Sequence, residues 1–427
     1  MTENIQFNVS GRLAPGEVDA INNKFYSRFN YPWVPVALPT FEDPLFWATA
    51  LNNDLCHWDN PRFGDGMKIW VAGCGTNQAV LTALRFPTAE VVGSDVSTES
   101  LNTAEAVARQ IGLTNLSLRE ESLNATAYDQ QFDYVICTGV IHHNANPAIP
   151  LNHLMKGMKK DAVLELMVYN YYHRVQTTAF QKAIRLLGGS PDRPDIDREL
   201  PLTMDMVRSF PVDCHIKQFL EHQRDLPEAA VADNLLQPVE YSYTIRSLRA
   251  LAEASNLRLQ SYCVNQFDKL SGNLDWLMGF DSADLQASYD ALSDTDQLQV
   301  TNLLLAEKSP MLWFYLERSD SPRPALGIGA MNEAFRAGRF VPASTVSRNF
   351  ILRQQGHYDL SSAQIPCPAP AMPVDLLARQ VFQSCDGKRT IAQILQELGL
   401  ELDRKQMNRL RLQLLSSGYP YLRRATA

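Results

Sequence analysis

The sequence predicts a doubly wound α/β domain with a seven-stranded, mostly parallel sheet, interrupted by helical insertions and followed by a small, mostly helical C-terminal unit. Three observations predict it. Short apolar runs alternate with amphipathic stretches of helical length between residues 67 and 169, the pattern of right-handed βαβ units. The first of these runs breaks into a Gly-x-Gly turn. After Tyr169 the rhythm stops, and two further apolar runs, at 257–264 and 311–316, return late enough to complete the sheet.

Element by element, Met67 to Ala72 is a buried parallel strand running into Gly73-Cys74-Gly75. Ala79, Val80, Ala83 and Leu84 mark one face of the following helix, and Pro87 lies beyond its end. Glu90 to Asp95 is the second strand. Ser97 or Thr98 caps a helix that runs to about Ile111 and stops at Gly112. Leu116 to Arg119, Phe132 to Thr138 and Ala162 to Tyr169 are the third to fifth strands, the last preceded by a helix near Ile149 to Met158. The chain therefore divides into an irregular aromatic-rich lead-in (1–45), an α/β domain (46–320) with a helical insertion (171–240), and a C-terminal unit (321–427). A linker opens at Ser319-Asp320-Ser321-Pro322, residues 341–371 are rich in Pro and Ser, and helical patterns follow from about residue 372.

Composition narrows the classes. The 427 residues are 45% hydrophobic and 20% charged, ordinary globular values. A formal charge of −8 argues against a chain that coats nucleic acid. No apolar run approaches the roughly 18 residues of a membrane span, and the polar N-terminus lacks a signal-peptide pattern. The seven cysteines stand singly with no CxxC pair, so neither a disulfide framework nor a zinc site is expected, and a reducing cytoplasm fits. Oligomeric state has no signature.

The chemistry starts at Gly73-Cys74-Gly75-Thr76-Asn77-Gln78. Glycines let the backbone turn sharply and leave room for a ligand against it. Asp95 follows Gly75 by 20 residues at the end of the next strand, the spacing of an acid that accepts hydrogen bonds from ribose hydroxyls. A dinucleotide fingerprint requires Gly or Ala three residues after the second glycine; here stands Gln78, which fits a nucleoside ligand without phosphates.

Across residues 65–170 the sequence resembles the class I S-adenosylmethionine-dependent methyltransferases, with a Rossmann-like sheet. The glycine loop matches Ala72 to Thr76, the ribose-binding acid matches Asp95, and Phe132-Asp133-Tyr134-Val135-Ile136-Cys137-Thr138-Gly139-Val140-Ile141-His142-His143 is similar to the fourth-strand motif of small-molecule and quinone-type members. The match extends to a less characterised bacterial branch through Asn30-Tyr31-Pro32-Trp33 and Leu166-Met167-Val168-Tyr169-Asn170. The resemblance implies S-adenosylmethionine as cofactor, held by Gly73, Cys74, Gly75, Asn77, Gln78, Asp95, Val96, Glu121, Ser122, Leu123, Thr138 and Gly139. The family often places an acid after the third strand for the adenine amino group; here the best-aligned residue is Ser122, so Glu121, Ser122 and backbone groups stand as alternatives.

Methyl transfer from a sulfonium needs alignment above all, and a base only when the nucleophile carries a proton. His142 leaves the fourth strand at the ligand-binding edge and is the candidate base; with His143, its other reading is a loop-shaping backbone contact. Tyr169 and His173, in an aromatic, basic stretch that includes Arg174, suit a planar or anionic acceptor, although tyrosines at a strand end also serve as core caps. No metal site is expected. The segment from Gln380 to Leu398, with its Asp386-Gly387-Lys388-Arg389-Thr390 turn, is weakly similar to winged-helix modules that hold precursor peptides. The leading expectation is methyl transfer to oxygen or nitrogen of a small metabolite or natural product, with 171–240 as a lid. The alternatives are a peptide or protein acceptor recruited by the C-terminal unit, and a cofactor-sensing DNA-binding regulator in which Arg404, Lys405, Arg409 and Arg411 contact phosphates.

Overall fold

A computed structural model of the chain describes residues 6–7, 13–29, 34–272, 274–306 and 308–425. The aromatic motif at 30–33 lies outside them. Strands β1 (Lys68–Ala72), β2 (Glu90–Asp95), β3 (Leu116–Glu120), β4 (Phe132–Thr138), β5 (Met158–Tyr169), β6 (Leu257–Tyr262) and β7 (Met311–Arg318) form one sheet in the order β3-β2-β1-β4-β5-β7-β6. The first five are parallel, and β7 runs antiparallel between β5 and β6. The fold is therefore the doubly wound, Rossmann-like one the apolar rhythm predicts.

Helices follow in chain order: α1 (Pro15–Arg28), α2 (Phe46–Asp54), α3 (Gln78–Arg85), α4 (Thr98–Ile111) and α5 (Ala148–Gly157). Local chemistry sets their ends. Ser97 caps α4 by accepting from Ser100 N at 3.2 Å, and Gly112 ends it with a left-handed φ of 73°. The expectation of an irregular lead-in is corrected here: residues 15–28 are a helix, started by Pro15 at its first position. β5 also begins earlier than its apolar run, because the charged Lys159, Lys160 and Asp161 sit at its solvent-facing start.

The sheet separates two cores. On one face Val135, Cys137, Leu164, Leu166, Val168, Leu312, Phe314 and Leu316 join the largest cluster. The other face carries Tyr134, Ile136, Val163 and Tyr315. The insertion is helical, α6 (Tyr171–Leu187), α7 (Ile196–Ser209), α8 (His215–Glu221) and α9 (Glu228–Leu235), and packs with Phe25 and Phe29 of the α1 region in a cluster of its own. It returns to the sheet through α10 (Ile245–Ala254); α11 (Gln266–Ser271), α12 (Ala283–Asp290) and α13 (Asp294–Leu304) precede β7.

The C-terminal unit is not set apart. Within the Pro- and Ser-rich stretch, Thr345–Leu352 pairs antiparallel with Ala37–Phe41 from the start of the chain. The terminal helices are α14 (Ile328–Ala337), α15 (Leu376–Ser384), α16 (Ile391–Glu397) and α17 (Arg404–Leu415). On α17, Leu412 belongs to the principal core, and buried Asn408 donates to Tyr262 Oη at 2.8 Å and Asp275 Oδ1 at 2.7 Å. Two of the four basic residues of α17 are engaged within the protein: Arg411 is buried and donates to Asn332 and Asn408, and Arg404 pairs with Asp294. Arg404 and Arg411 therefore serve internal contacts rather than the phosphate contacts expected of them.

Two outcomes are expected. Deleting the chain beyond residue 325 strips Leu412 and the partner of the 37–41 strand, so soluble yield should collapse. Asn408→Ala leaves Asp275 and Tyr262 short of a buried donor and should cost about 1–3 kcal/mol in denaturant unfolding. A soluble deletion protein with unchanged thermal unfolding contradicts the shared core.

Candidate active site

The glycine loop is built by its own backbone. Gly73 and Gly75 adopt φ of 69° and 52°, a region that penalises side chains. The amides of Gly73 and Cys74 both donate to Ser94 O, at 2.7 and 2.9 Å. A Cβ on Gly73 would lie 2.4 Å from Val140 Cγ2, so this glycine is required by close packing of the β1 and β4 turns. Asp95 holds the other side: its Oδ2 accepts from Gly75 N at 2.8 Å and its Oδ1 from Ser97 N at 2.9 Å. Burial raises the carboxyl's pKa, and the amide donors pull it back toward the ionised form. Gln78, which replaces the third glycine of a dinucleotide loop, donates to Thr138 Oγ1 at 2.7 Å and ties α3 to the end of β4.

These parts line one cavity of about 1320 Å³ at the carboxyl edge of the sheet. Gly73, Cys74, Gly75, Asn77, Gln78, Asp95, Val96, Glu121, Ser122, Leu123, Thr138 and Gly139 all border it. The set suits a nucleoside with an amino-acid tail: a carboxylate at ribose depth, an open backbone turn, and the Glu121–Leu123 segment beyond. The sequence reading missed that α1 roofs this end. Asp19, Asn22 and Tyr26 border the cavity. Asp19 accepts from Ser122 Oγ at 2.6 Å and Asn124 Nδ2 at 2.9 Å, while Asn22 donates to His143 O at 2.8 Å. An acid thus does stand beside Ser122, supplied by a segment some 100 residues earlier in the chain. Glu121 is occupied by the Tyr128 hydroxyl.

Past Thr138 and Gly139 the cavity continues between Tyr169, His173 and Arg174 and the insertion, which contributes Phe219, Gln223, Asp233, Asn234 and Gln237. Arg174 lies 4.4 Å over the Tyr169 ring and is held by Glu240. His142 corrects the sequence expectation. It is fully buried, outside the cavity lining, and packs at a tilt against His143 and Tyr169 at ring distances of 4.1 and 4.2 Å. Burial first, then the charges of His143 and Arg174, hold it far below the usual histidine range, so it stays neutral. Its packing against Tyr169, invisible in the spacing, turns it inward. His143 borders the cavity instead; its Nδ1 donates to Val239 O at 2.7 Å and burial lowers its pKa to about 4. One titratable group that the insertion brings to the cavity is Asp233, raised by burial to about 6. Among the described residues no His, Cys, Asp or Glu group has metal-binding geometry, and no helix is long and apolar enough to cross a membrane.

Asp95→Ala frees two amides and removes the carboxylate expected to accept from ribose; S-adenosylmethionine affinity, measured by calorimetry, should drop about tenfold to several hundredfold. Gly73→Val should act on the fold itself, losing roughly 1–3 kcal/mol of stability through the Val140 clash and the positive φ. Unaltered thermal unfolding of that variant contradicts the close approach.

Comparison with known proteins agrees with this geometry. A family model described as a methyltransferase domain matches residues 64–185. The chain is 26% identical over 308 residues to an uncharacterised protein of Synechococcus sp., covering 69% of this chain and 70% of that one. It is 33% identical over 86 residues to a ubiquinone biosynthesis O-methyltransferase of Leptothrix cholodnii, which covers 20% of this chain and 36% of that protein. In fold it is similar to PKMT2 from Rickettsia typhi, with a TM-score of 0.55 at 11% identity over 92% of this chain and 77% of that one. The AdoHcy complex of that protein gives a TM-score of 0.51 at 12% identity, over 87% and 72% of the two chains. The glycine loop and Asp95 lie within the matched methyltransferase domain, and the findings together support an S-adenosylmethionine-dependent methyltransferase of class I.

Proposed function

We propose that the chain methylates an oxygen or nitrogen of a small acceptor held between the ends of β4 and β5 and the helical insertion. The observation that carries the reading is the continuity of one cavity from Gly75 and Asp95, past Thr138 and Gly139, to Tyr169, His173 and the side chains of α8 and α9. S-adenosylmethionine, when bound, supplies an electrophilic methyl group on a sulfonium leaving group. The chain's own residues align the two reactants and exclude water, the main contribution an enzyme makes to such a displacement. Asp95 would hold the ribose, and Asp19 with Ser122 and Glu121 would meet the adenine edge. Tyr169 and His173 would wall the acceptor. Asp233 takes over the role expected of His142: with a pKa of about 6 it is mostly ionised at neutral pH and faces the cavity, so it can accept a proton from a hydroxyl or ammonium nucleophile.

A peptide or protein acceptor is favoured by one specific feature, the lining of the same cavity by Ser417 and Gly418 of the C-terminal unit. Incubating a cell extract with the protein and isotopically labelled S-adenosylmethionine separates the readings: label in low-mass products supports the first, label in polypeptide the second, and label in neither overturns transfer. With an acceptor in hand, the wild-type rate should fall as pH drops through about 6, because protonation removes Asp233 as an acceptor of protons. Asp233→Asn should lose that limb and run about 10²–10⁴ slower. A wild-type profile flat between pH 5 and 7 excludes Asp233 as the base.

A further inference from the structure

The cavity does not end at the carboxyl edge. It runs down the sheet face along alternate residues of β5, Tyr169, Met167 and Glu165, to an aromatic floor made by Tyr134 and Trp313. Glu165 is the acid of this deep arm, and its hydrogen-bond partners are both neutral: the Tyr134 hydroxyl, and Trp313 Nε1 at 2.9 Å. Each donor takes one carboxylate oxygen, so each oxygen keeps a further acceptor site. Burial raises the pKa of the Glu165 carboxyl, and its two donors pull it back together with the field of Arg85, whose guanidinium lies 5.2 Å over the Trp47 ring rather than in an ion pair with Glu165. The other cations bordering the arm are held elsewhere, Lys308 by Asp268 at 3.2 Å and Lys269 by Gly418 O at 3.0 Å.

We propose that this arm is a subsite for a cationic nitrogen on the methyl acceptor, seated on the remaining acceptor sites of Glu165 beside Trp313 and Tyr134. The assignment rests on the methyl-transfer reading above and adds the class of acceptor: an elongated molecule with an apolar middle and an ammonium or guanidinium remote from the atom that is methylated. A carboxylate whose hydrogen-bond donors are both neutral still offers charge pairing to an ammonium or guanidinium, which a neutral alcohol does not gain. The reach follows from strand geometry. Tyr134 and Thr138 are four residues apart on β4, so about 13 Å separate the deep subsite from the end of the strand beside the glycine loop. Met167 and Met311 line the stretch between, apolar and adaptable. The cation is therefore a recognition group and not the nucleophile, which as a protonated amine lacks the lone pair to attack.

The test uses the full chain saturated with S-adenosylhomocysteine, titrated calorimetrically with hexylamine, hexanol and hexanoate, three six-carbon chains with a cationic, a neutral and an anionic head group. Hexylamine should bind at least tenfold more tightly than hexanol, and hexanoate should bind worst. In Glu165→Gln, an isosteric change, hexylamine should fall to the level of hexanol while S-adenosylhomocysteine affinity stays within twofold. In Asp233→Asn the amine preference should survive. Absence of hexylamine binding, equal binding of amine and alcohol, tighter binding of hexanoate (an anion drawn to Arg85), or a preference that persists in Glu165→Gln each overturns the proposal. The wild-type series needs no variant, so it decides the cation preference even where a substituted protein fails to fold. Failure of the methyl-transfer reading would appear separately, as loss of S-adenosylhomocysteine binding by the wild-type protein.

Discussion

The structure depends on the antiparallel pairing of β7 with β5, from Met311 opposite Tyr169 to Glu317 opposite Val163. Seven consecutive residue pairs fix the register, and each one-residue slip would exchange the two faces of both strands. In the observed register Leu164, Leu166, Val168, Leu312, Phe314 and Leu316 face the larger core, while Glu165, Met167, Tyr169, Met311 and Trp313 line the cavity. The same strand anchors charge: Glu317 is fully buried and accepts from Arg62 at 2.8 Å and Arg258 at 2.9 Å. A slip would strand that carboxylate without its guanidinium partners, a cost of several kcal/mol.

The pairing also explains why the C-terminal unit belongs to the same body. Tyr315 of β7 reaches Asp54 of α2 at 3.2 Å and Ser417 at 3.3 Å, and Asp54 accepts from Ser417 N at 2.9 Å. Burial raises the Asp54 carboxyl, and the Ser417 amide is the strongest influence pulling it back. Asn53 beside it donates to Leu422 O. The helix that precedes the sheet is thus satisfied by the turn that follows α17, and neither end of the chain completes its hydrogen bonds without the other. That turn, Ser417-Gly418, is also cavity wall. Packing and site are therefore one arrangement.

At the other end of the cavity, polar contacts between distant segments do the comparable work. Asn22 to His143 O, Asn23 to Val96 O and Asp19 to Ser122 fasten α1 across the ends of β2, β3 and β4. Each joins side chains to backbone or to one another without a large apolar contact. Such polar contacts contribute roughly 0.5–1.5 kcal/mol apiece, and the buried Val18 and Phe25 add apolar packing that seats the helix. The insertion bears on α1 through Phe25 and Phe29, so roof and acceptor wall are mechanically joined.

The sequence by itself determined the sheet, the glycine loop and Asp95. Those features are local: strand periodicity, positive φ at Gly73 and Gly75, and a carboxylate one βα unit downstream all follow from residues within about 20 positions of one another. Ser97 and Gly112 likewise announced the ends of α4, because capping involves the nearest three or four residues. Only the tertiary structure decided which side chains face the cavity. His142 and His143 are adjacent and chemically identical, yet ring packing on Tyr169 turns the first into the core, and the bond to Val239, 96 residues away, aims the second. Asp19 reaches Ser122 across 103 positions, and Glu165 meets Trp313 across 148. Such contacts leave no period or spacing in the chain, since their partners are chosen by how strands pair and helices dock, and a sequence records that choice only in the sum of its packing.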